Sequence, residues 1–165
     1  MGEVDKRLRE MGLALPEPPA PLAQYVPAKL VGDMVYCSGQ LPMAEGGLRC
    51  TGQVGAGVAL EEGRECARLC ALNCLAAVKG VVGDLGRVAE VVQVRGFVNS
   101  APGFDMQPEV VNGASELLVE LFGDAGRHVR SAVGTNSLPR NAPVELEMVV
   151  RVAVSTGDAR GKRGC

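Results

Sequence analysis

A strict alternation of apolar and polar side chains near residue 150 constrains the fold more than any other feature of the sequence. Apolar residues stand at every second position from Val144 to Val152, and charged side chains fill most positions between them. Successive side chains of a β-strand point to opposite faces, so residues 144–154 are predicted to form a strand with one apolar face. The chain therefore needs a sheet and a second layer that covers one side of it.

Two helical patterns supply that second layer. The first runs from Leu60 to about Val82, with glutamates in its first turn and a wide apolar face. The second starts at Pro108, carries an apolar stripe and ends before Gly123. A short charged helix is also predicted over residues 3–12. These helices give the chain enough apolar surface to cover one face of a sheet.

The remaining apolar runs are short and rich in β-branched residues, which is typical of strands. They predict a hairpin over residues 28–38, a strand over 88–98 and another over 128–133. The glycine-rich segment 43–60 has no periodicity and is predicted to be a long loop. The order strand, strand, helix, strand, helix, strand, strand predicts a two-layer α+β domain. In this arrangement two helices lie on one face of a mixed sheet.

The other face of this sheet is left uncovered by the predicted elements. We expect Val91 and Phe97 on that face, where contact with water is unfavourable for them. A closed homo-oligomer would bury such a face. The length of 165 residues suits one main domain, over residues 23–154. We expect the helix and a proline-rich connector (1–22) before it and a mobile polar tail (155–165) after it.

Charge and aromatic content argue against several classes of partner. The net charge is −2, and the chain has two tyrosines, three phenylalanines and no tryptophan. Nucleic-acid binding is therefore not expected, because neither a basic field nor a base-stacking platform is available. No stretch approaches the roughly 18–20 uninterrupted apolar residues that span a bilayer, and no signal-peptide pattern follows the charged first residues. We expect a cytoplasmic protein without a membrane partner.

Three cysteines and one histidine are the first candidates for chemistry. Cys66, Cys70 and Cys74 are spaced to share one helical face, but no fourth metal ligand lies nearby, so we predict core packing and no metal. His128 is the single histidine and stands two positions before Arg130. On a strand both side chains point to the same side. The arginine offers a planar two-pronged donor that fits a carboxylate, and the alternative is a surface ion pair.

Short motifs in a fixed order provide a more specific signal. They are Y-V-P-A at 25–28, G-D-M-V-Y-C-S-G-Q-L-P at 32–42, V-N at 111–112, V-R-S-A-V at 129–133 and P-V-E-L-E at 143–147. Together they resemble the RidA/YjgF family, the reactive intermediate deaminases, over residues 23–154. The N-terminal helix and the enlarged segment 43–60 are similar to the longer branch of that family, described as YjgF/chorismate-mutase-like or endoribonuclease.

This resemblance implies a fold, an assembly and a reaction. The fold is the chorismate-mutase-like α+β domain, assembled as a homotrimer with clefts between adjacent subunits. The reaction is the hydrolysis of reactive 2-enamine or 2-imino acids to 2-keto acids and ammonia, without a cofactor. The implied partner is therefore a small carboxylate-bearing metabolite.

The resemblance also implies roles for individual residues. Arg130 matches the arginine that binds the substrate carboxylate, and Glu145 matches the glutamate that holds the attacking water. The resemblance also places Tyr25, Ser38, Gly39, Asn112 and Ala132 at substrate-binding positions of the cleft. We add His128 and Ser131 as candidates because they stand beside Arg130 on the predicted strand. Ala132 stands where the family usually has a cysteine. Ser131 and Asn112 can equally be ordinary hydrogen-bonding residues of a loop or helix.

Three functions follow from these observations. The first is the imine or enamine hydrolase, and the second is a non-catalytic or regulatory binder of small carboxylates in the same cleft. Ala132 and the longer segment 43–60 favour the binder. The third, an endoribonuclease, is disfavoured by the acidic charge, the scarce aromatics and the isolated histidine. Chorismate mutase activity is less expected still, because a shared fold does not fix a function.

Overall fold

A computed structural model describes residues 2–17 and 24–153 of the chain. Ten helices and strands make up the described part, apart from short 3₁₀ turns. In chain order they are α1 (Glu3–Glu10), β1 (Ala28–Val31), β2 (Met34–Gln40), β3 (Met43–Ala44), β4 (Gly47–Leu48), α2 (Leu60–Val82), β5 (Val88–Asn99), α3 (Gln107–Phe122), β6 (Val129–Thr135) and β7 (Val144–Val152).

Five of the strands form one mixed sheet in the order β1-β2-β7-β5-β6. β5 and β6 are parallel, and the other neighbours are antiparallel. The alternation predicted for the last strand is confirmed, because Val144, Leu146, Met148, Val150 and Val152 are all buried. α2 and α3 pack together against this apolar face. The prediction of an α+β domain with helices on one side of a mixed sheet is confirmed, with α1 as a third helix.

The long helix α2 has the predicted bounds because capping residues at its two ends determine where it begins and ends. At its start, the carboxylate of Glu62 accepts a hydrogen bond from the main-chain N–H of Ala59 at 2.9 Å. At its end, Gly83 has φ of +81°, a conformation that favours glycine and stops the helix. The three cysteines on its face are fully buried, as predicted.

Two of those cysteines also tie α2 to the central strand β7. The thiol of Cys70 donates to the carbonyl of Val144 at 3.6 Å, and the thiol of Cys74 donates to the carbonyl of Leu146 at 3.3 Å. Burial raises the pKa of both thiols well above the ordinary value. They therefore remain protonated and act as hydrogen-bond donors on either side of residue 145.

The helices α2 and α3 approach closely at one point. A Cβ added at Gly113 would overlap the main-chain carbonyl of Arg64. On the solvent side of this contact, the guanidinium of Arg64 donates two hydrogen bonds to the carboxylate of Glu116, at 2.8 and 2.9 Å. The absence of a side chain at residue 113 lets the helical layer pack densely over the sheet.

Two predictions about local structure were wrong. Val91 was expected on the uncovered face, but it is 1% exposed and lies in the core. Irregular pairing of β5 with β7 around residues 88–93 breaks the simple alternation there. The segment 43–60 is not entirely a loop, since β3 and β4 form a small hairpin in it. Its tight turn at Glu45 and Gly46 has positive φ at both positions.

The face of the sheet away from the helices mixes apolar and charged side chains. Tyr36 and Val133 are about half exposed, at 49% and 46%. Between them, the guanidinium of Arg95 pairs with the carboxylate of Glu147 at 3.1 Å. The homo-oligomer that would cover this face remains a prediction.

The N-terminal helix packs on the helical layer. Its residues Val4 and Leu8 are buried in the core, and the ammonium of Lys79 pairs with the carboxylate of Asp5 at 2.9 Å. Most of the predicted connector and the predicted tail lie outside the described residues, so the division of the chain into 1–22, 23–154 and 155–165 stays a prediction. No helix of the described part is long and apolar enough to cross a membrane.

Candidate functional site

Four of the predicted site residues, Tyr25, Ser38, Gly39 and Glu145, line one surface cavity of about 310 Å³. They come from the start of β7, from β2 and from the segment before β1. The full lining is Tyr25, Pro27, Ser38, Gly39, Gln40, Leu41, Met43, Pro139, Arg140 and Glu145. We call this cavity the glutamate pocket.

Glu145 is the acidic group of the glutamate pocket. Its side chain is on the open face of β7 and is partly buried. Burial raises the pKa of its carboxyl above the ordinary 4.5, and the negative charge of Glu147 adds to that effect. No hydrogen bond or ion pair reaches this carboxylate from the residues that the structure describes. It is therefore a carboxylate with free acceptor atoms and a raised affinity for a proton.

An irregularity in β2 shapes the floor of the glutamate pocket. The regular pairing of β2 with β7 is interrupted between Cys37 and Gln40, which places Ser38 and Gly39 in a bulge. Both the main-chain N–H and the hydroxyl of Ser38 donate to the carbonyl of Pro27, at 2.8 and 3.0 Å. A Cβ added at Gly39 would overlap the carboxylate of Glu145. The bulge thus fixes the segment that the glutamate rests on.

Arg130 lies in a different part of the molecule, on the edge strand β6 next to α3. One of its terminal nitrogens, Nη1, donates to Oδ1 of Asn112 at 2.7 Å and to Oγ of Ser115 at 3.1 Å. The other nitrogens, Nη2 and Nε, donate to no residue in the described ranges. The side chain is held on one side and keeps donors available for a planar acceptor.

His128 completes a hydrogen-bonded chain behind Arg130. Its Nδ1 lies 2.7 Å from the carbonyl of Gly126, which can only accept, so Nδ1 carries a proton. Its Nε2 lies 3.0 Å from Oγ of Ser115. In the neutral ring Nε2 accepts the hydroxyl proton of Ser115, which leaves that oxygen free to accept from Arg130. Burial lowers the pKa of His128, and the charge of Arg130 adds to this.

The structure does not bring Arg130 and Glu145 together within one chain. Arg130 pairs with Val94 on β5, and Val94 pairs with Met148, three residues from Glu145 on β7. Two strand spacings and three residues amount to about 14 Å between the two Cα atoms. Their side chains also point to opposite faces, because Arg130 contacts α3 while Glu145 is on the open face. The candidate site consists of two separate halves.

Most of the remaining predicted residues belong to one or other half of the candidate site. Asn112 and His128 accompany Arg130, whereas Tyr25, Ser38 and Gly39 accompany Glu145. Ser131 is exposed and pairs with Arg95 of β5, so it points away from Arg130. Ala132 is partly buried and lies on the same side as Arg130, opposite Gly96.

Sequence reasoning missed one residue of each half. Ser115 links Arg130 to His128, and its position three residues after Asn112 on a predicted helix was a usable signal, because such residues are neighbours on the helix surface. Arg140 reaches the glutamate pocket from the turn before β7. No local pattern marks it, since the turn is brought there only by the sheet topology. Within the described ranges, no group of three or more histidine, cysteine or acidic side chains is arranged to hold a metal ion.

Comparison with known proteins finds relatives that match most of this chain. The chain is 42% identical over 152 residues to protein TCP17 of Trypanosoma cruzi, covering 92% of this chain and 95% of that protein. It is 30% identical over 139 residues to 2-iminobutanoate/2-iminopropanoate deaminase of Dermatophagoides farinae, covering 84% and 93%. The crystal structure of protein Atu1372 of Agrobacterium tumefaciens, described as of unknown function, has 44% identity and a TM-score of 0.86, covering 92% and 94%.

A family model also matches most of the chain. Residues 5–151 match the model described as "YjgF/chorismate_mutase-like, putative endoribonuclease", a range that includes most of α1, both halves of the candidate site and nearly all of β7. The resemblance noted from the sequence motifs is thereby confirmed. With three helices against a mixed sheet and this match over most of its length, the chain belongs to the YjgF/chorismate mutase-like family.

Proposed function

We propose that this protein hydrolyses 2-imino or 2-enamino acids to 2-keto acids and ammonia. The observation that carries the proposal is the presence of two polar groups with unused hydrogen-bonding capacity among the described residues. Arg130 has donors that no described residue accepts from, and Glu145 is a partly buried carboxylate whose oxygens accept no described hydrogen bond. The relative that is 30% identical and is named 2-iminobutanoate/2-iminopropanoate deaminase supports this choice of reaction.

The chemistry needs only these two kinds of group. Nη2 and Nε of Arg130 bind the substrate carboxylate and hold the adjacent C=N carbon in place. The carboxylate of Glu145 takes a proton from water as the water oxygen bonds to that carbon. Glu145 then returns its proton to the nitrogen of the adduct. The C–N bond breaks as the C=O bond forms, the hydroxyl proton passes to solvent, and the nitrogen leaves as ammonia. A protonated imine is already electrophilic, so the alanine at residue 132 does not prevent the reaction.

The two halves can act on one substrate only if they come from different chains. Within one chain, Arg130 and Glu145 are about 14 Å apart and lie on opposite faces of the sheet. A small imino acid cannot contact both of them there. We therefore include in the proposal a homotrimer in which the Arg130 half of one subunit faces the glutamate pocket of the next. The edge position of β6 and the half-exposed apolar side chains of the open face support an assembly of this kind.

A coupled assay tests the reaction. An amino-acid oxidase generates 2-imino acids in solution, and semicarbazide traps those that survive. We expect the wild-type protein to lower semicarbazone formation and Arg130→Ala to lose this effect. Arg127→Ala is the matched control, because Arg127 is exposed and pairs only with Asp124 among the described residues. A fully active Arg130→Ala variant would show that the proposal is wrong.

A second candidate function is binding of a small carboxylate without turnover. It is favoured by Ala132, which replaces the cysteine usual in the family. In this case neither the wild-type protein nor Arg130→Ala consumes an imine. 2-Keto acids such as 2-oxobutanoate instead raise the melting temperature of the wild-type protein and not that of Arg130→Ala.

A further inference from the structure

Two cysteines outside the candidate site contact each other directly. Sγ of Cys50 lies 3.1 Å from Sγ of Cys66, and each is the other's only hydrogen-bonding partner among the described residues. The other three described cysteines instead donate to main-chain carbonyls. A disulfide bond is about 2.05 Å long, so the two sulfur atoms need to approach by about 1 Å to become bonded.

The two thiols differ in their access to solvent. Cys66 is fully buried on α2, and burial raises the pKa of its thiol, with the neighbouring Cys50 adding to the effect. Cys50 lies just after β4, is only partly buried and lines a surface crevice of about 230 Å³. An oxidant entering the crevice therefore meets Cys50 first, and Cys66 is placed behind it as the second thiol.

The charges around the crevice select the kind of oxidant. Its walls carry the carboxylates of Glu61, Glu62 and Glu65, against the single guanidinium of Arg49. This negative lining disfavours an anionic disulfide such as glutathione disulfide. A small uncharged peroxide has no such barrier and fits the volume.

We propose that Cys50 and Cys66 form a redox site that a small neutral peroxide converts to a disulfide. In the first step the sulfur of Cys50 attacks hydrogen peroxide, so that an S–O bond forms, the O–O bond breaks and one water leaves. In the second step the sulfur of Cys66 attacks the sulfur of Cys50. The S–S bond forms, the S–O bond breaks and a second water leaves. The two thiols are oxidised and the peroxide is reduced, with two electrons transferred.

The bond would close a loop over residues 50–66 and fix it to the long helix. This loop contacts the rest of the fold, since the N–H of Gly52 donates to the carbonyl of Asn141 at 2.9 Å. Closing a loop of this size restricts the unfolded chain, and we expect the melting temperature to rise by about 5 to 10 °C in a domain of this length.

Peptide mapping tests the site directly. The reduced full chain carrying Cys165→Ser is treated with equimolar hydrogen peroxide, its free thiols are alkylated in denaturant, and it is digested with trypsin. Cys50 and Cys66 fall on separate peptides, residues 50–64 and 65–68, while Cys70 and Cys74 share the peptide 69–79. We expect a cross-link between the first two peptides and full alkylation of the third.

The controls decide between this site and ordinary thiol oxidation. Cys50→Ser and Cys66→Ser should each abolish the cross-link and the rise in melting temperature, while Cys37→Ser should retain both. Equimolar glutathione disulfide should give at least tenfold less cross-link than hydrogen peroxide over the same time. Reaction of peroxide at Cys70 or Cys74 instead, oxidation of Cys50 without a cross-link to Cys66, or a faster reaction with glutathione disulfide would overturn the proposal.

Discussion

The carboxylate of Glu145 occupies the space that a Cβ atom at residue 39 would need. Gly39 lies in the bulge of β2, beside the central strand β7, so the acid rests directly on a neighbouring main chain. The position of the carboxylate thus depends on the absence of a side chain one strand away. This relationship explains why a glycine follows Ser38, and it leads to a direct test of the glutamate pocket.

Gly39→Ala should displace the carboxylate of Glu145 and leave the fold intact. The substitution adds one methyl group at the edge of an open cavity, so the melting temperature should change little. A general base that moves by about 1 Å loses on the order of 100-fold in rate, and we expect a fall of that size in kcat/KM for imine hydrolysis. Gly57→Ala is the control, because a Cβ there meets no other atom within 4 Å. Unchanged kcat/KM in Gly39→Ala would contradict the assigned role of Glu145.

Mixed oligomers should reveal that the two halves of the site come from different subunits. Arg130→Ala and Glu145→Gln are each expected to be inactive alone. After unfolding and refolding together in equal amounts, clefts with both intact groups should form between unlike subunits. Random assembly gives about a quarter of the wild-type activity. In about half of the clefts the first subunit supplies an intact Arg130, and in about half of those the next subunit supplies an intact Glu145. Refolding each variant alone is the control, and mixtures without recovered activity would show that the proposed assembly is wrong.

Ser115→Ala should weaken substrate binding more than the chemical step. The substitution removes the hydroxyl that accepts from Arg130 at 3.1 Å and leaves Nε2 of His128 without its partner. The loss of one such hydrogen bond costs about 1 kcal/mol, which corresponds to a KM about five- to tenfold higher, with kcat changed by less than about twofold. Ser137→Ala, at an exposed position, is the control. Equal losses in kcat and in kcat/KM would instead place Ser115 in the chemical step.

Glu145→Gln should make the protein more stable at neutral pH while removing activity. Since burial raises the pKa of Glu145 above 4.5, the folded chain holds this proton more tightly than the unfolded chain. Stability therefore falls as pH rises through the window between the two pKa values, and glutamine avoids that loss. The melting temperature of Glu145→Gln should exceed that of the wild type above the window and match it below pH 4.5. Glu45→Gln, which removes an exposed carboxylate from the turn between β3 and β4, is the control variant.

Periodicity predicted the layers of the fold, because each long element carries its own local markers. The bounds of α2 follow from the acidic first turn and from Gly83, and the buried face of β7 follows from simple alternation. The placement of Val91 could not be predicted in this way, since irregular pairing shifts the alternation in β5. The hairpin of β3 and β4 was missed because two-residue strands are too short to show a period.

The candidate site was less predictable than the fold. Motifs singled out Arg130 and Glu145, but a motif does not tell on which face of a sheet each side chain lies. That information depends on the strand order, in which β5 separates the strands that carry these residues. Ser115 was within reach of sequence reasoning through its spacing from Asn112. Arg140 was not, because its turn meets β2 only after the sheet has formed.

The edge position of β6 has a consequence for the isolated chain. Within the described sheet this strand pairs on one side only, with β5, so its other edge presents main-chain donors and acceptors over residues 129–135. A free edge of this kind is a template for unwanted strand addition and aggregation. Assembly would then protect solubility as well as complete a site. At dilutions that dissociate the proposed homotrimer, aggregation and loss of activity should appear together.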